Sequence, residues 1–245
     1  MMLCVDALGL SFTGTGAAAR PALSGISLSV ERGEVVGLIG GSGAGKSLVA
    51  MALMGSLPRN AIRSGCVTLD HAPIAAGHLA LAPQSVDALD PLADVGTQIG
   101  RFARLAGRQP DVATLLARVG LTTSVAPLFP HQLSGGMAKR VLLATALATE
   151  SAFLIADEPT LGLDPGAADD LMACLAGLAE QGKGVLAISH DLPRLVGTAR
   201  RVIVLNEGEA VETAPAACFA GNGARLSHPF SRALWRAQNG EIAWA

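Results

Sequence analysis

Eight residues constrain this chain more than any other feature: Gly40-Gly41-Ser42-Gly43-Ala44-Gly45-Lys46-Ser47. They fit the spacing GxxxxGK[ST], end an apolar run (EVVGLIG) and lead into an unbroken apolar stretch (SLVAMALMG). A buried strand before the loop and a helix after it is the setting in which such a loop wraps phosphate. The glycines let backbone N–H groups turn inward, and the helix N-terminus adds positive potential. Lys46 then reaches the β- and γ-phosphates and the Ser47 hydroxyl ligates Mg²⁺. With Leu48 in the first helical turn, these residues are the nucleotide-binding set. A glycine-rich turn carrying a solvated lysine is the bland alternative, and the strand–helix setting argues against it.

The remaining chain supplies a fold for that loop. At 245 residues, half of them hydrophobic, it can build one large α/β domain. Apolar runs at 26–30, 34–40, 66–70, 79–82, 152–156, 184–189 and 201–205 read as strands. Helical spacing recurs at 46–55, 134–149 and 166–180, and strands alternating with helices predict a parallel sheet covered on both faces. From 87 to 133 the texture changes to two helical stretches punctuated by Pro91, Pro110, Pro127 and Pro130. A single domain over 1–245 is therefore expected, with a core of 1–86 and 134–245 and a helical subdomain at 87–133.

Bulk chemistry narrows the partners. A formal charge of −2 offers no broad basic field, so nucleic acid is not an expected partner. The four cysteines are scattered without CxxC spacing, which fits reduced thiols rather than disulfides or a metal cluster. The chain opens without a basic start, so no secretion signal is expected. Its longest apolar stretch, residues 141–156, is interrupted by Glu150 and falls short of the roughly 20 residues that span a bilayer.

A second motif gives the loop its chemistry. FLIADEP, residues 153–159, sets two acids at the end of an apolar strand. Asp157 would hold Mg²⁺ through its water shell, while Glu158 would polarise an attacking water beside the γ-phosphate. No NKxD-type guanine reader is present, so ATP is the expected nucleotide.

PHQLSGGMAKRVLLATAL, residues 130–147, then resembles the signature of ABC-transporter ATPase subunits. Leu133, Ser134, Gly135, Gly136 and Met137 would open a helix with a donor-rich N-terminus, a second phosphate cradle. One nucleotide cannot use both cradles of one chain, so two subunits placed head to tail would each clamp the other's ATP. The resemblance implies further roles. Gln84 would be the glutamine that touches Mg²⁺ and senses the transporter, and Asp164 in LGLD would lie in the loop crossing the dimer interface. His190 would hold the γ-phosphate with Glu158, and Phe12 would stack on adenine. The implied fold is a RecA-like P-loop NTPase core with a parallel sheet, an inserted helical subdomain and a small β lobe.

Finer features resemble the peptide/nickel importer branch: APQSVDALDPLADVGTQI, the PHQLSGGM context and the tail HPFSRALWRA. Three departures stand out. Lys139 replaces the usual glutamine after the signature, the stretch 71–79 is short, and no cysteine-rich segment follows the tail. The last favours a nickel or metal–chelate cargo over oligopeptides. The five histidines show no i,i+4 pair and read as ordinary surface or strand-end residues, not nickel ligands. The resemblance implies a peripheral ATPase on the cytoplasmic face of the inner membrane. Its partners would be a homologous but non-identical ATPase, two transmembrane permease subunits and an extracytoplasmic substrate-binding protein. An ABC exporter or a non-transport ABC system is the rival reading.

Overall fold

The structure is a computed structural model that describes residues 1–13, 21–74 and 77–239. The chain enters as strand β1 (Met2–Phe12), turns back as β2 (Leu23–Glu31) and continues as β3 (Val35–Gly40). The glycine-rich loop joins β3 to helix α1 (Lys46–Leu53). Strands β4 (Ala61–Leu69), β5 (Ala72–Pro73) and β6 (Leu79–Ala82) follow. Two helices come next, α2 (Val95–Leu105) and α3 (Val112–Arg118), capped by Asp94 and Asp111, which accept from the N–H groups of Thr97 and Thr114. Helix α4 (Gly135–Leu147) leads to β7 (Phe153–Asp157), then α5 (Pro165–Glu180), β8 (Gly184–Ile188) and α6 (Leu192–Thr198). Strands β9 (Arg201–Asn206) and β10 (Glu209–Pro215) and helix α7 (Pro229–Gln238) complete the chain.

Two sheets form. An antiparallel one has the order β2-β1-β4-β5, and the other has the order β10-β9-β3-β8-β7-β6. Within the second, every pairing is parallel except β9 with β10. Alternate side chains of its central strands divide the core in two, as a period-2 strand buried on both faces must. Val35, Ile39, Leu154, Ala156, Val185, Ala187, Val202 and Val204 pack with α2 to α7. Val36, Leu38, Phe153, Ile155, Leu186, Ile188, Ile203 and Leu205 pack with α1 and the antiparallel sheet.

The expected parallel sheet is present, but its second face is covered mainly by strands rather than helices. Helices α2 and α3 pack on α4. Residues 75 and 76 of the short 71–79 stretch lie outside the described residues. Among the described residues, no helix is long and apolar enough to cross a membrane.

Candidate functional site: a phosphate cleft at the carboxyl ends of four strands

Strands β3, β8, β7 and β6 are consecutive in the sheet, and each ends in a residue of interest. The glycine-rich loop follows β3, His190 follows β8, Asp157 and Glu158 end β7, and Gln84 follows β6. Ligands of open α/β sheets bind in this position, outside the carboxyl ends of the strands. A cleft of about 340 Å³ here is lined by residues 42–48 together with Gln84, Glu158, Leu161 and His190. The sequence pattern did not single out Leu161 as part of this set.

The loop has the backbone its glycines foretold. Gly45 sits at φ 100°, and a Cβ there would come within 2.5 Å of the Leu23 side chain. Gly40 is required by close approach instead, because its Cβ would lie 2.4 Å from the Leu205 carbonyl oxygen. The Lys46 ammonium folds back over the loop and donates to the carbonyls of Gly40 (2.9 Å) and Gly41 (3.2 Å).

The two acids differ in surroundings. Burial, reinforced by the neighbouring Glu158 charge, pushes the Asp157 carboxyl above the usual carboxylate range, with Lys46 and Ser47 acting in the opposite direction. One Asp157 oxygen, Oδ1, is buried without a hydrogen-bond partner. An orphaned carboxylate oxygen beside a serine hydroxyl is a hard-oxygen donor set. It fits Mg²⁺, which takes one or two protein oxygens plus substrate phosphates and waters.

Glu158 is held from three sides in a left-handed backbone, φ 46°, that a non-glycine residue seldom adopts. Its N–H donates to Ile188 O at 2.8 Å, its carbonyl accepts from Lys139 Nζ at 3.0 Å, and its Oε2 lies 2.7 Å from His190 Nδ1. An ionised carboxylate can only accept, so with Glu158 in that form this contact takes its proton from His190 Nδ1. Lys139 is itself buried, and its Nζ also donates to the Gln84 carbonyl at 2.5 Å. Burial pulls its ammonium below the ordinary lysine range, while Glu158 and Asp157 oppose that shift.

Other expected residues lie outside the cleft. Ser134 caps α4, its Oγ accepting from Met137 N–H at 3.2 Å. Asp164 caps α5 in the same way, accepting from Ala167 N–H at 3.0 Å. These two helix starts are neighbours: Cβ atoms built on Gly135 and Gly136 would lie 3.8 Å and 3.5 Å from Leu163 and Ala167 side chains. Neither Leu133 to Met137 nor Asp164 lines the phosphate cleft. Phe12 ends β1 half-buried, packed against the core, and is not among the cleft residues.

Known proteins share this arrangement. The sequence pattern of the ABC transporter family matches residues 23–161. A protein of Brucella abortus, provisionally named as a peptide import ATP-binding protein, is 35% identical over 232 residues, spanning 87% of this chain and 68% of that one. One from Sinorhizobium fredii, provisionally named as a peptide ABC transporter ATP-binding protein, is 31% identical over 257 residues, 96% of this chain and 76% of its own. Among solved structures, cbiO1 of Clostridium perfringens, described as part of the ABC transporter complex cbiONQ, superposes with a TM-score of 0.73 at 28% identity. It covers 87% of this chain and 88% of its own. The fold is shared as well by the dimeric cassette MJ0796 bound to ADP and Pi, at TM-score 0.74, 24% identity and coverages of 87% and 98%. The chain belongs to the ABC transporter family, of which it is an ATP-binding and ATP-hydrolysing subunit.

Proposed function

We propose that this chain energises an importer of the peptide/nickel branch by hydrolysing ATP in the cleft at the ends of β3, β8, β7 and β6. The observation that carries this reading is the convergence of residues 42–48, Gln84, Glu158 and His190 on one cleft. Backbone N–H groups of the loop and the Lys46 ammonium hold the phosphates. Ser47 and Gln84 supply oxygens to Mg²⁺, and Asp157 acts through a water. Neutralisation of the charge that develops on the phosphates is the chemistry Mg²⁺ would supply when held by these residues. Glu158 positions the attacking water and accepts its proton. With Oε2 engaged by His190, Oε1 is the oxygen available for that transfer. His190 stays oriented by the same contact, and half of its side chain remains exposed toward the cleft mouth. Phe12 is assigned to adenine.

The signature residues Leu133, Ser134, Gly135, Gly136 and Met137 serve the partner's nucleotide. Their place beside Asp164, away from the chain's own cleft, supports a head-to-tail pair. A homologous, non-identical ATPase is the proposed partner. Leu92, Phe102 and Leu105 leave large apolar surfaces exposed on the 87–133 subdomain, which supports docking there to two permease subunits at the cytoplasmic membrane face. An extracytoplasmic binding protein would deliver the cargo.

For the cargo, the names of the Brucella and Sinorhizobium relatives favour peptides over the nickel or metal–chelate class. Loss of di- and oligopeptide uptake on gene deletion, with nickel uptake unchanged, is the expected result. The opposite pattern would return the assignment to metals.

The chemistry is tested with Glu158→Gln and Lys46→Ala in this chain within the assembled transporter, the partner's own site being disabled. Glu158→Gln should bind MgATP but turn over on the order of 10²–10⁴-fold more slowly, the range for losing a positioned base. Lys46→Ala should weaken nucleotide binding itself. Near-normal turnover by Glu158→Gln would remove Glu158 from this role.

A further inference from the structure

Lys139 is buried on the first turns of α4, in a stretch whose neighbours Ala138, Val141, Leu142 and Leu143 are all core residues. A lysine seldom sits fully inside unless it is paired. Here the ammonium bridges two backbone carbonyls just beyond the paired ends of β6 and β7, Gln84 O at 2.5 Å and Glu158 O at 3.0 Å. Hydrogen bonds from a charged donor are roughly twice as strong as neutral ones, and those two oxygens belong to two loops of the cleft.

We propose that Lys139 is a positioning residue for hydrolysis, one ammonium that fixes the left-handed backbone of Glu158 and ties it to the backbone of Gln84. The proposal rests on the reading of Glu158 as the group that activates water. Glu158 holds a strained left-handed φ of 46°, which persists only where surrounding contacts over-determine it. Its N–H is fixed to β8 and its carboxylate to His190, and its carbonyl accepts from the Leu161 N–H at 3.3 Å and from the charged Lys139 donor at 3.0 Å, the shorter of the two. With Lys139 gone, that carbonyl keeps only the longer bond from the Leu161 N–H, and the peptide after Glu158 can turn and move Oε1 away from the water it must meet. The link to Gln84 makes the two loops one mechanical unit. Displacing the Gln84 backbone, on the side proposed to face the permease, would then reach the catalytic carboxylate through a single side chain.

The test measures MgATP turnover of the assembled transporter with the partner's own site disabled by loss of its loop lysine, with kcat referred to the fraction of this chain that binds ATP. Lys139→Met keeps the length of the stem and removes every donor, so it should lower kcat about 10- to 100-fold, the scale of a 1 Å misplacement. KM for ATP should change less than about threefold, because the phosphate-holding loop is untouched. Lys139→Gln, whose amide carries two N–H donors, should recover kcat to within about threefold of the parent chain. A purely structural role would lower the amount of ATP-binding chain and leave kcat per bound ATP unchanged.

Should Lys139→Met fail to fold, Lys139→Asn replaces it. Asn has the same donors on a stem too short to span both carbonyls, and the kcat loss expected is the same. Unchanged kcat in the donor-free or short variant would overturn the proposal, as would equal losses in Lys139→Gln and Lys139→Met. Failure of both Met and Asn variants to fold while Lys139→Gln folds would assign Lys139 to stability alone, also against it. Glu158→Gln is run in parallel. If it retains full turnover, the reading of Glu158 falls; if it is inactive while Lys139→Met is normal, only the proposal for Lys139 falls.

Discussion

At the scale of single residues, the cleft concentrates negative charge that the protein must hold at some cost. Asp157 and Glu158 are adjacent, buried and partly compensated by Lys46 and Lys139, and the raised Asp157 pKa records what remains uncompensated. Raising an acid's pKa on folding means that its ionised form destabilises the fold at neutral pH. Asp157→Asn should therefore raise the stability of the nucleotide-free chain by about 1 kcal/mol, as is common when a strained functional site is relieved. The same substitution should abolish the extra stabilisation that Mg²⁺ adds to that given by ATP alone. Thermal unfolding with and without ATP and Mg²⁺ reads both effects, and a drop in the stability of the nucleotide-free chain would contradict the account. Residues of this kind were legible in the sequence because glycines, a lysine and paired acids at fixed spacing have few other uses. Lys139 was visible as a departure from a family pattern, but its role was not. Nothing in a sequence says which two carbonyls a buried ammonium will meet.

Among elements, legibility followed periodicity. Strands β3, β7, β8 and β9 are unbroken apolar runs and were read within a residue or two. Strand β1 was missed because its pattern changes phase: Leu3 and Val5 are buried on odd positions, then Leu8 and Leu10 on even ones. The structure shows why. The pairing with β2 shifts register between Val5 and Leu8, and Ala7 sits there at φ 48°, so a bulge resets which side chains face the core. Strand β10 was missed because it is an antiparallel edge with only Ala214 buried. The join between the two sheets was equally silent in the sequence. Arg201 on β9 donates to Glu34 Oε1 and to Ser29 O, both at 2.8 Å, across 167 and 172 residues. Burial alone would raise the Glu34 pKa, but hydrogen bonds from Arg201 and the Glu31 N–H outweigh it and hold the carboxyl below the ordinary value of 4.5. A depressed acid pKa contributes stability above the unfolded-state value, and this is lost as pH falls through the folded-state value. Arg201→Met should cost about 3 kcal/mol at neutral pH, the low end for breaking a buried pair, since a quarter of Arg201 stays exposed. The difference from the parent chain should shrink as pH falls below 4.5 and Glu34 protonates. Urea unfolding at pH 7 and pH 4 checks this, and a difference that grows in acid would contradict it.

On the scale of the whole molecule, the fold places two phosphate-facing features on one chain and keeps them apart. In the proposed reading the cleft at the ends of β3, β8, β7 and β6 takes the chain's own nucleotide, and the start of α4, beside the start of α5, faces another's. The order of the motifs already pointed to that proposal, because one nucleotide cannot be shared between two separate cradles. What packing added is their separation, with Gly135 and Gly136 against Leu163 and Ala167 and none of them in the cleft. The central claim is that each working site joins this chain's Lys46 to a partner's signature helix, and the reverse. It is tested most directly by MgATP hydrolysis of the assembled transporter carrying Ser134→Arg in this chain, alone and in two combinations. Pairing Ser134→Arg with loss of the partner's loop lysine should be little worse than either change alone, because both disable the same site. Adding Lys46→Ala to Ser134→Arg in this chain should damage both sites and stop hydrolysis, the non-additivity a shared site demands. Reversal of that pattern, or loss of ATP binding by a folded, isolated chain carrying Ser134→Arg, would contradict the two-chain site.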